Sequence, residues 1–282
     1  MQAPENVLAC PTVPIYVAAT SKTTDEKLFM GHAKAIRRAI ILSAGQGSRL
    51  LPLTADRPKC MIDFSGKPLI IWQIEMLLRA GVTDFHIVTG FKTDMVEAEL
   101  AGLENKDCAI TVHFNPFFKV ADNLGSCWIV RDMMDEDFII LNGDTLISAD
   151  IADRVQQGTD WPISVTVDIK PDYDSDDMKV SQRDDRLIAI GKTLTAEQSN
   201  AESIGCLAFR GEGAVLFRDK IRAMMRTPAG VENWYLKAID ALAPGGKVGT
   251  VSIAGMDWAE VDFLNDIEIA TALTDRWAAS RK

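Results

Sequence analysis

The sequence predicts an α/β fold built on a mostly parallel mixed sheet, with a β-rich elaboration in its second half. Three observations carry this expectation. Short apolar runs alternate with stretches of helical periodicity between Arg38 and Leu141. Two of those runs end in turns suited to a ligand: Gly45-Gln46-Gly47-Ser48-Arg49 after the first, and Asn142-Gly143-Asp144 after the last. Beyond Ile163 the texture changes to alternating, β-rich segments separated by acidic turns.

Taken in order, residues 1–36 read as a partly irregular N-terminal arm. Pro4, Pro11 and Pro14 break its start, and the stretch Ser21 to Glu26 is polar. A short strand at Ile15 to Ala18 and a helix from Asp25 to Ala35 are expected within it. Ala39-Ile40-Ile41-Leu42 is a continuous apolar run, the mark of a parallel strand covered on both faces. Leu69 to Ala80 follows Pro68 and stops at Gly81, which predicts a helix. Asp84 to Thr89 reads as strand, Thr93 to Ala101 as helix, Ala109 to Phe114 as strand, Ser126 to Met134 as helix and Phe138 to Leu141 as strand.

In the second half, Ile163 to Ile169 is a strand, and Lys179-Val180 with Leu187 to Ile190 makes a hairpin around Asp184-Asp185. Ser203 to Phe209 is a further strand, followed by helices at Ala214 to Met225 and Asn233 to Leu242. Val248 to Ile253 and Trp258 to Val261 are strands, and the last helix begins at Leu264. No internal repeat or long linker separates these segments, so residues 37–282 are expected to form one domain.

Composition narrows the functional classes. A 282-residue chain that is 47% hydrophobic and 25% charged has ordinary globular usage, which excludes a disordered or fibrous chain. Thirty basic against 40 acidic residues give a net charge of -10, which disfavours nucleic acid and anionic membrane as partners. The five cysteines, Cys10, Cys60, Cys108, Cys127 and Cys206, form no CxxC pair, so neither a zinc knuckle nor a disulfide framework is expected. With no run of eighteen apolar residues and no basic residue between Met1 and Ala19, a cytoplasmic location is expected.

The loop Gly45 to Arg49 is the first candidate site. Two glycines let backbone amides approach an anion, while Arg49 adds a fork of donors and Lys59 a point charge. The Gly-Lys-Ser/Thr ending of a Walker loop is absent. A dinucleotide fingerprint is absent as well, because Leu50 stands where its third glycine would. The longer stretch from Ile41 to Thr54, with Arg57-Pro58-Lys59-Cys60-Met61, resembles the signature of the nucleotidyltransferase superfamily that makes NDP-sugars and related activated alcohols. Leu42-Ser43-Ala44-Gly45 replaces the Leu-Ala-Ala-Gly usual among the sugar-nucleotide enzymes and leaves the glycines intact.

Shorter motifs resemble the phosphocholine cytidylyltransferase-like branch: Asn123-Leu124-Gly125-Ser126, Asp176 to Val180, Ile190-Gly191-Lys192 and Glu202 to Cys206. The resemblance implies a Rossmann-like three-layer sandwich. It also implies attack by a phosphate or phosphonate oxygen on the α-phosphorus of an NTP, here CTP, with release of pyrophosphate. On that basis the nucleotide-binding half spans about 37–150, the acceptor-binding half about 151–265 and the C-terminal helix about 264–278. Ala44, Gly45, Gly47 and Ser48 would cradle the triphosphate, with Arg49 on its outer phosphates and Lys59 on the α-phosphate. Asn123 and Ser126 would read the base, and Lys192, with Lys179 as a lesser candidate, would meet the acceptor's phosphate.

Asp144 and Asp262 each end a strand, where two carboxylates from distant positions can share a Mg²⁺ ion with triphosphate oxygens. Glycosyltransferases of similar topology carry Asp-x-Asp at the first of these turns, whereas this chain reads Asp144-Thr145-Leu146. No general base is required, because a phosphomonoester is already anionic near neutrality. His86 and His113 fall inside strands and are expected to pack rather than to shuttle protons.

A phosphocholine acceptor would need aromatic faces and carboxylate around its quaternary ammonium. Tyr173 with Trp234 or Tyr235, backed by Glu260, is the expected cage, with Glu202 nearby. Phosphoethanolamine or 2-aminoethylphosphonate would favour carboxylates, and a sugar 1-phosphate would favour Asn115, Asn123 or Glu202. A non-catalytic nucleotide-binding relative is the alternative from another class. A homodimer is expected only from the general prevalence of twofold assemblies.

Overall fold

The computed structural model describes residues 35–103 and 108–280. The strand and helix expected in the N-terminal arm lie outside these residues, apart from Ala35. The first half contains β1 (Arg38–Ser43), a small hairpin of β2 (Asp63–Phe64) and β3 (Lys67–Pro68), α1 (Leu69–Arg79), β4 (Asp84–Thr89) and α2 (Thr93–Leu100). It continues through β5 (Ala109–Phe114), α3 (Asn123–Ile129), β6 (Phe138–Asn142), β7 (Thr145–Ile147) and α4 (Ala149–Gln157). The second half begins with β8 (Ile163–Asp168), β9 (Lys179–Arg183), β10 (Arg186–Ile190), β11 (Ala201–Phe209) and α5 (Glu212–Met224). It ends with α6 (Leu236–Leu242), β12 (Val248–Ser252), β13 (Trp258–Glu260) and α7 (Leu264–Ala279).

Nine strands form one sheet in the order β5-β4-β1-β6-β11-β8-β12-β10-β9. Strands β5, β4, β1 and β6 run parallel, whereas β11 pairs antiparallel with both β6 and β8. The β9–β10 hairpin is antiparallel too, and with β11 it makes up most of the β-rich elaboration. A separate two-stranded ribbon joins β7 to β13.

Alternation along β1 explains the three layers. Ala39 and Ile41 pack with Trp72, Leu77, Ile151 and Leu273 on the side of α1, α4 and α7. Ile40 packs with Phe209, Phe217 and Ile239 on the side of α3, α5 and α6. Every central strand therefore needs apolar residues on both faces, which is why it appears as an unbroken apolar run.

Three segments differ from expectation. The third helix starts at Asn123 rather than Ser126 and gives way after Ile129 to a 3-10 turn at Arg131–Met133. Asn233 is extended, and its carbonyl accepts from the Leu124 amide, so the helix expected from Asn233 begins at Leu236. Strand β7 and helix α4 were not anticipated. Helix α4 buries only Ile151, Ala152 and Val155, and Ser148 caps it by accepting from the Ile151 amide. No helix of the described residues is long and apolar enough to cross a membrane.

Candidate active site

The carboxyl end of β1 opens into the glycine loop. Gly47 adopts φ +79°, and a Cβ there would lie 2.9 Å from the Lys59 side chain, so this position tolerates only glycine without rearrangement. The Thr54 hydroxyl donates to the Gly47 carbonyl at 2.7 Å and the Gln46 amide to the Thr54 carbonyl at 3.1 Å, which hold the loop in shape.

Gly143 lets β6 cross close to β1: its amide donates to the Leu42 carbonyl at 3.0 Å, and a Cβ would lie 2.5 Å from that oxygen. Asp144 follows at once. Strand β13 pairs with β7 so that Glu260 faces Thr145, and the Val261 amide donates to the Asp144 carbonyl at 3.0 Å. This ribbon carries Asp262 to Asp144 across more than a hundred residues of sequence. Oxygens of Asp144, Glu260 and Asp262 all lie within 4.8 Å of one another.

The ammonium of Lys59 sits between two of them, 2.9 Å from Asp144 Oδ2 and 2.5 Å from Asp262 Oδ1. Arg49 reaches Asp262 Oδ2 at 3.3 Å and lies over the Phe263 ring. Burial opposes the charge on Lys59, but Asp144 and Asp262 outweigh it and hold the ammonium above its ordinary range. The Glu260 carboxylate opens into the cavity, yet the protein packed around it and the charges of Asp144 and Asp262 push its pKa up to about 8. Three hard oxygen donors, two of them already gathered around a cationic group, form a set that can coordinate a divalent metal.

These groups line one cavity of about 480 Å³. From the sequence-derived set, it brings together Gly45, Gly47, Ser48, Arg49, Lys59, Asn123, Asp144, Lys192, Trp234, Glu260 and Asp262. At its other end the Lys192 ammonium lies 5.2 Å from the centroid of the Trp234 ring and 3.9 Å from Asp176. Burial holds the Asp122 carboxyl above its usual range, although the Trp234 side chain bonds to it.

Five residues of that set do not line the cavity. Ala44 is buried, and its carbonyl accepts from the Phe91 amide. Ser126 is buried against the Asn115 amide at 3.2 Å. Tyr235 is fully buried and donates its hydroxyl to Asn142 Oδ1 at 3.1 Å, because the chain turns between Trp234 and Leu236 and sends adjacent aromatics in opposite directions. Glu202 is buried in an ion pair with Lys170 at 2.7 Å, and Tyr173 stands beside the same lysine. The aromatic cage expected from Tyr173, Trp234 and Tyr235 is therefore not assembled, and Trp234 alone contributes a ring to the cavity. Lys179 is also buried, donating to the Asp174 carbonyl at 2.5 Å.

Asp122, Asn142, Ser203 and Gly205 line the cavity without having been singled out for the site. Asn142 carried a usable signal, since it ends β6 two positions before Asp144. Its side chain is clamped between the Tyr235 hydroxyl and Gly205, whose φ of +73° and close approach require glycine. His86 and His113 pack as expected: their rings meet at 2.9 Å on β4 and β5, and burial lowers both pKa values.

A family model described as nucleotidyl transferase matches residues 38–182, about half of the chain. The chain belongs to the nucleotidyl transferase family. Over 255 residues this family member is 27% identical to the CTP:phosphoglutamine cytidylyltransferase of Campylobacter jejuni, covering 82% of this chain and 98% of that relative. It is 32% identical over 122 residues to mannose-1-phosphate guanyltransferase beta-B of Xenopus laevis, covering 42% of this chain and 34% of that longer protein. The structure of the inositol-1-phosphate CTP transferase from T. maritima superposes with a TM-score of 0.71 at 22% identity, covering 86% of this chain and 98% of the other. That last likeness is one of fold.

Proposed function

We propose that the chain transfers a nucleotidyl group from an NTP to the phosphate of a small hydroxyl-bearing acceptor, a sugar 1-phosphate, releasing pyrophosphate. The observation that carries this reading is a single cavity in which the glycine loop, the cations Arg49, Lys59 and Lys192, and three carboxylates meet. Gly45, Gly47 and Ser48 cradle the triphosphate, Arg49 meets its outer phosphates and Lys59 its α-phosphate. Lys192 holds the acceptor phosphate at the other end of the cavity. An acceptor oxygen attacks the α-phosphorus, the bond to the β-phosphate breaks, and pyrophosphate leaves with the electron pair. The attacking oxygen is already anionic, so the chain need supply no base. Asp144 and Asp262, with Glu260 beside them, would hold Mg²⁺, which when bound neutralises charge on the phosphates.

The acceptor end favours hydroxyl recognition. One ring faces the cavity, and Asn123, Asp176 and Ser203 offer hydrogen-bonding partners there. The similarity to mannose-1-phosphate guanyltransferases supports the same choice. A second reading, cytidylyl transfer from CTP to an amino-alcohol phosphate such as phosphocholine, is supported by the full-length similarity to a cytidylyltransferase and by Asp122 and Asp176 flanking Trp234.

Pyrophosphate release, measured for the four NTPs against a panel of phosphorylated sugars and amino alcohols, separates the readings. Turnover of a sugar phosphate supports the first, and turnover of CTP with phosphocholine or phosphoethanolamine supports the second. Nucleotide binding without pyrophosphate from any acceptor rejects both.

A further inference from the structure

The segment between β8 and β9 supplies Asp176 and Met178 to the cavity wall, yet it contains no regular secondary structure. A loop of this kind needs tertiary anchors to hold side chains in a fixed place. Its carboxyl end is fixed by backbone pairing: the Ser203 amide donates to the Met178 carbonyl at 2.9 Å, and Glu202 pairs with Lys179 across β11 and β9. Its middle is wound on itself. Asp174 Oδ1 accepts from the Asp176 amide at 2.8 Å and the Asp177 amide at 3.1 Å, and the Asp174 amide donates to Asp177 Oδ2 at 2.7 Å.

One side chain ties this turn to the sheet. The Lys170 ammonium reaches Asp177 Oδ2 at 2.9 Å and Glu202 Oε2 at 2.7 Å, and it lies 6.0 Å from the centroid of the Tyr173 ring. The two carboxylates are 12% and 6% exposed, so neither can turn to water if the lysine is lost. Lys170 itself lines no cavity.

We infer that Lys170 is a positioning residue for the acceptor end: by bridging Asp177 to Glu202 it holds Asp176 and Met178 in the cavity wall. The cluster contains one more carboxylate than it has ammonium groups bridging it, and burial raises Glu202 to a pKa of about 7 against the pull of Lys170. Removing the lysine would leave two buried acids facing each other and release the turn. The glycine loop and the Asp144–Asp262 pair share no contact with this cluster, so their geometry should persist.

This inference rests on the proposed assignment of that end of the cavity to the acceptor, and its test keeps the two apart. Lys170→Met and Lys170→Arg are compared in the full chain by hydrogen exchange over residues 170–178. Steady-state pyrophosphate release is measured alongside, with mannose 1-phosphate and phosphocholine as acceptors. Lys170→Met should speed exchange in the loop and raise the acceptor KM at least tenfold, with kcat and the NTP KM within twofold; Lys170→Arg should restore both. Unchanged exchange overturns the inference whether or not an acceptor reacts, as does faster exchange with an unchanged acceptor KM, or acceptor and NTP KM values rising together. Failure of both acceptors with every NTP counts against the functional reading, and the exchange result then decides the loop.

Discussion

Lys59→Met tests whether the site is organised around a cationic group. The side chain is 15% exposed and bridges Asp144 and Asp262, which are 21% and 27% exposed. At an effective dielectric near 20, each contact carries roughly 5 kcal/mol of attraction, much of it cancelled by the cost of burying the ammonium. Removing one partner of a buried pair costs about 3–5 kcal/mol, and the partial exposure of both acids reduces this to about 2–3 kcal/mol. For a domain of this size that corresponds to a melting temperature lower by roughly 5–10 °C. Thermal unfolding followed by circular dichroism in a chelating buffer measures the loss. Millimolar divalent cation should then recover part of it in the variant while moving the parent protein less, because the added ion replaces the missing charge between the acids. A variant that melts as high as the parent in chelator would refute the reasoning, since the acids would then need no counter-charge.

Asp144→Ala should weaken cation-dependent nucleotide binding and reduce turnover by roughly 100-fold or more, read by titration calorimetry and pyrophosphate release. Glu202 titrates upward from its ordinary 4.5 to about 7 on folding, so its contribution to stability is fully present below about pH 4.5 and lost as pH rises through about 7. That contribution is about 3 kcal/mol, and in Glu202→Gln the stability measured by urea unfolding should lose this slope between those two values. Gly205→Ala would force a Cβ to 2.3 Å from Asn142 Nδ2 at φ +73°, and should cost about 2–4 kcal/mol in denaturant unfolding. Tyr235→Phe removes the bond to Asn142 and should cost about 1–2 kcal/mol.

The parallel half of the sheet was legible because β1, β4 and β6 are covered on both faces, and such strands appear as unbroken apolar runs. Asp144 and Asp262 were legible for a different reason. Both stand at strand ends, and chemistry in an open α/β sheet collects there. Helix α4 was not legible because three small apolar side chains suffice to seat it, too weak a period to stand out. The direction of an aromatic ring was not legible either. Trp234 and Tyr235 are neighbours of similar composition, and only the path of the chain before α6 decides that one faces the cavity and the other the core. Lys170 gave no signal at all, since its partners Asp177 and Glu202 meet it only through the pairing of β9 with β11.

The ribbon of β7 and β13 sets an order of assembly. Asp144 is in place once the first half of the sheet has formed, but Asp262 arrives only with the strand that directly precedes the final helix. A nascent chain emerging amino end first can therefore shape the glycine loop early while its acids remain separated. Cation capture is postponed until almost all of the polypeptide has been synthesised, so any fragment halted short of β13 would be a phosphate cradle with no metal centre.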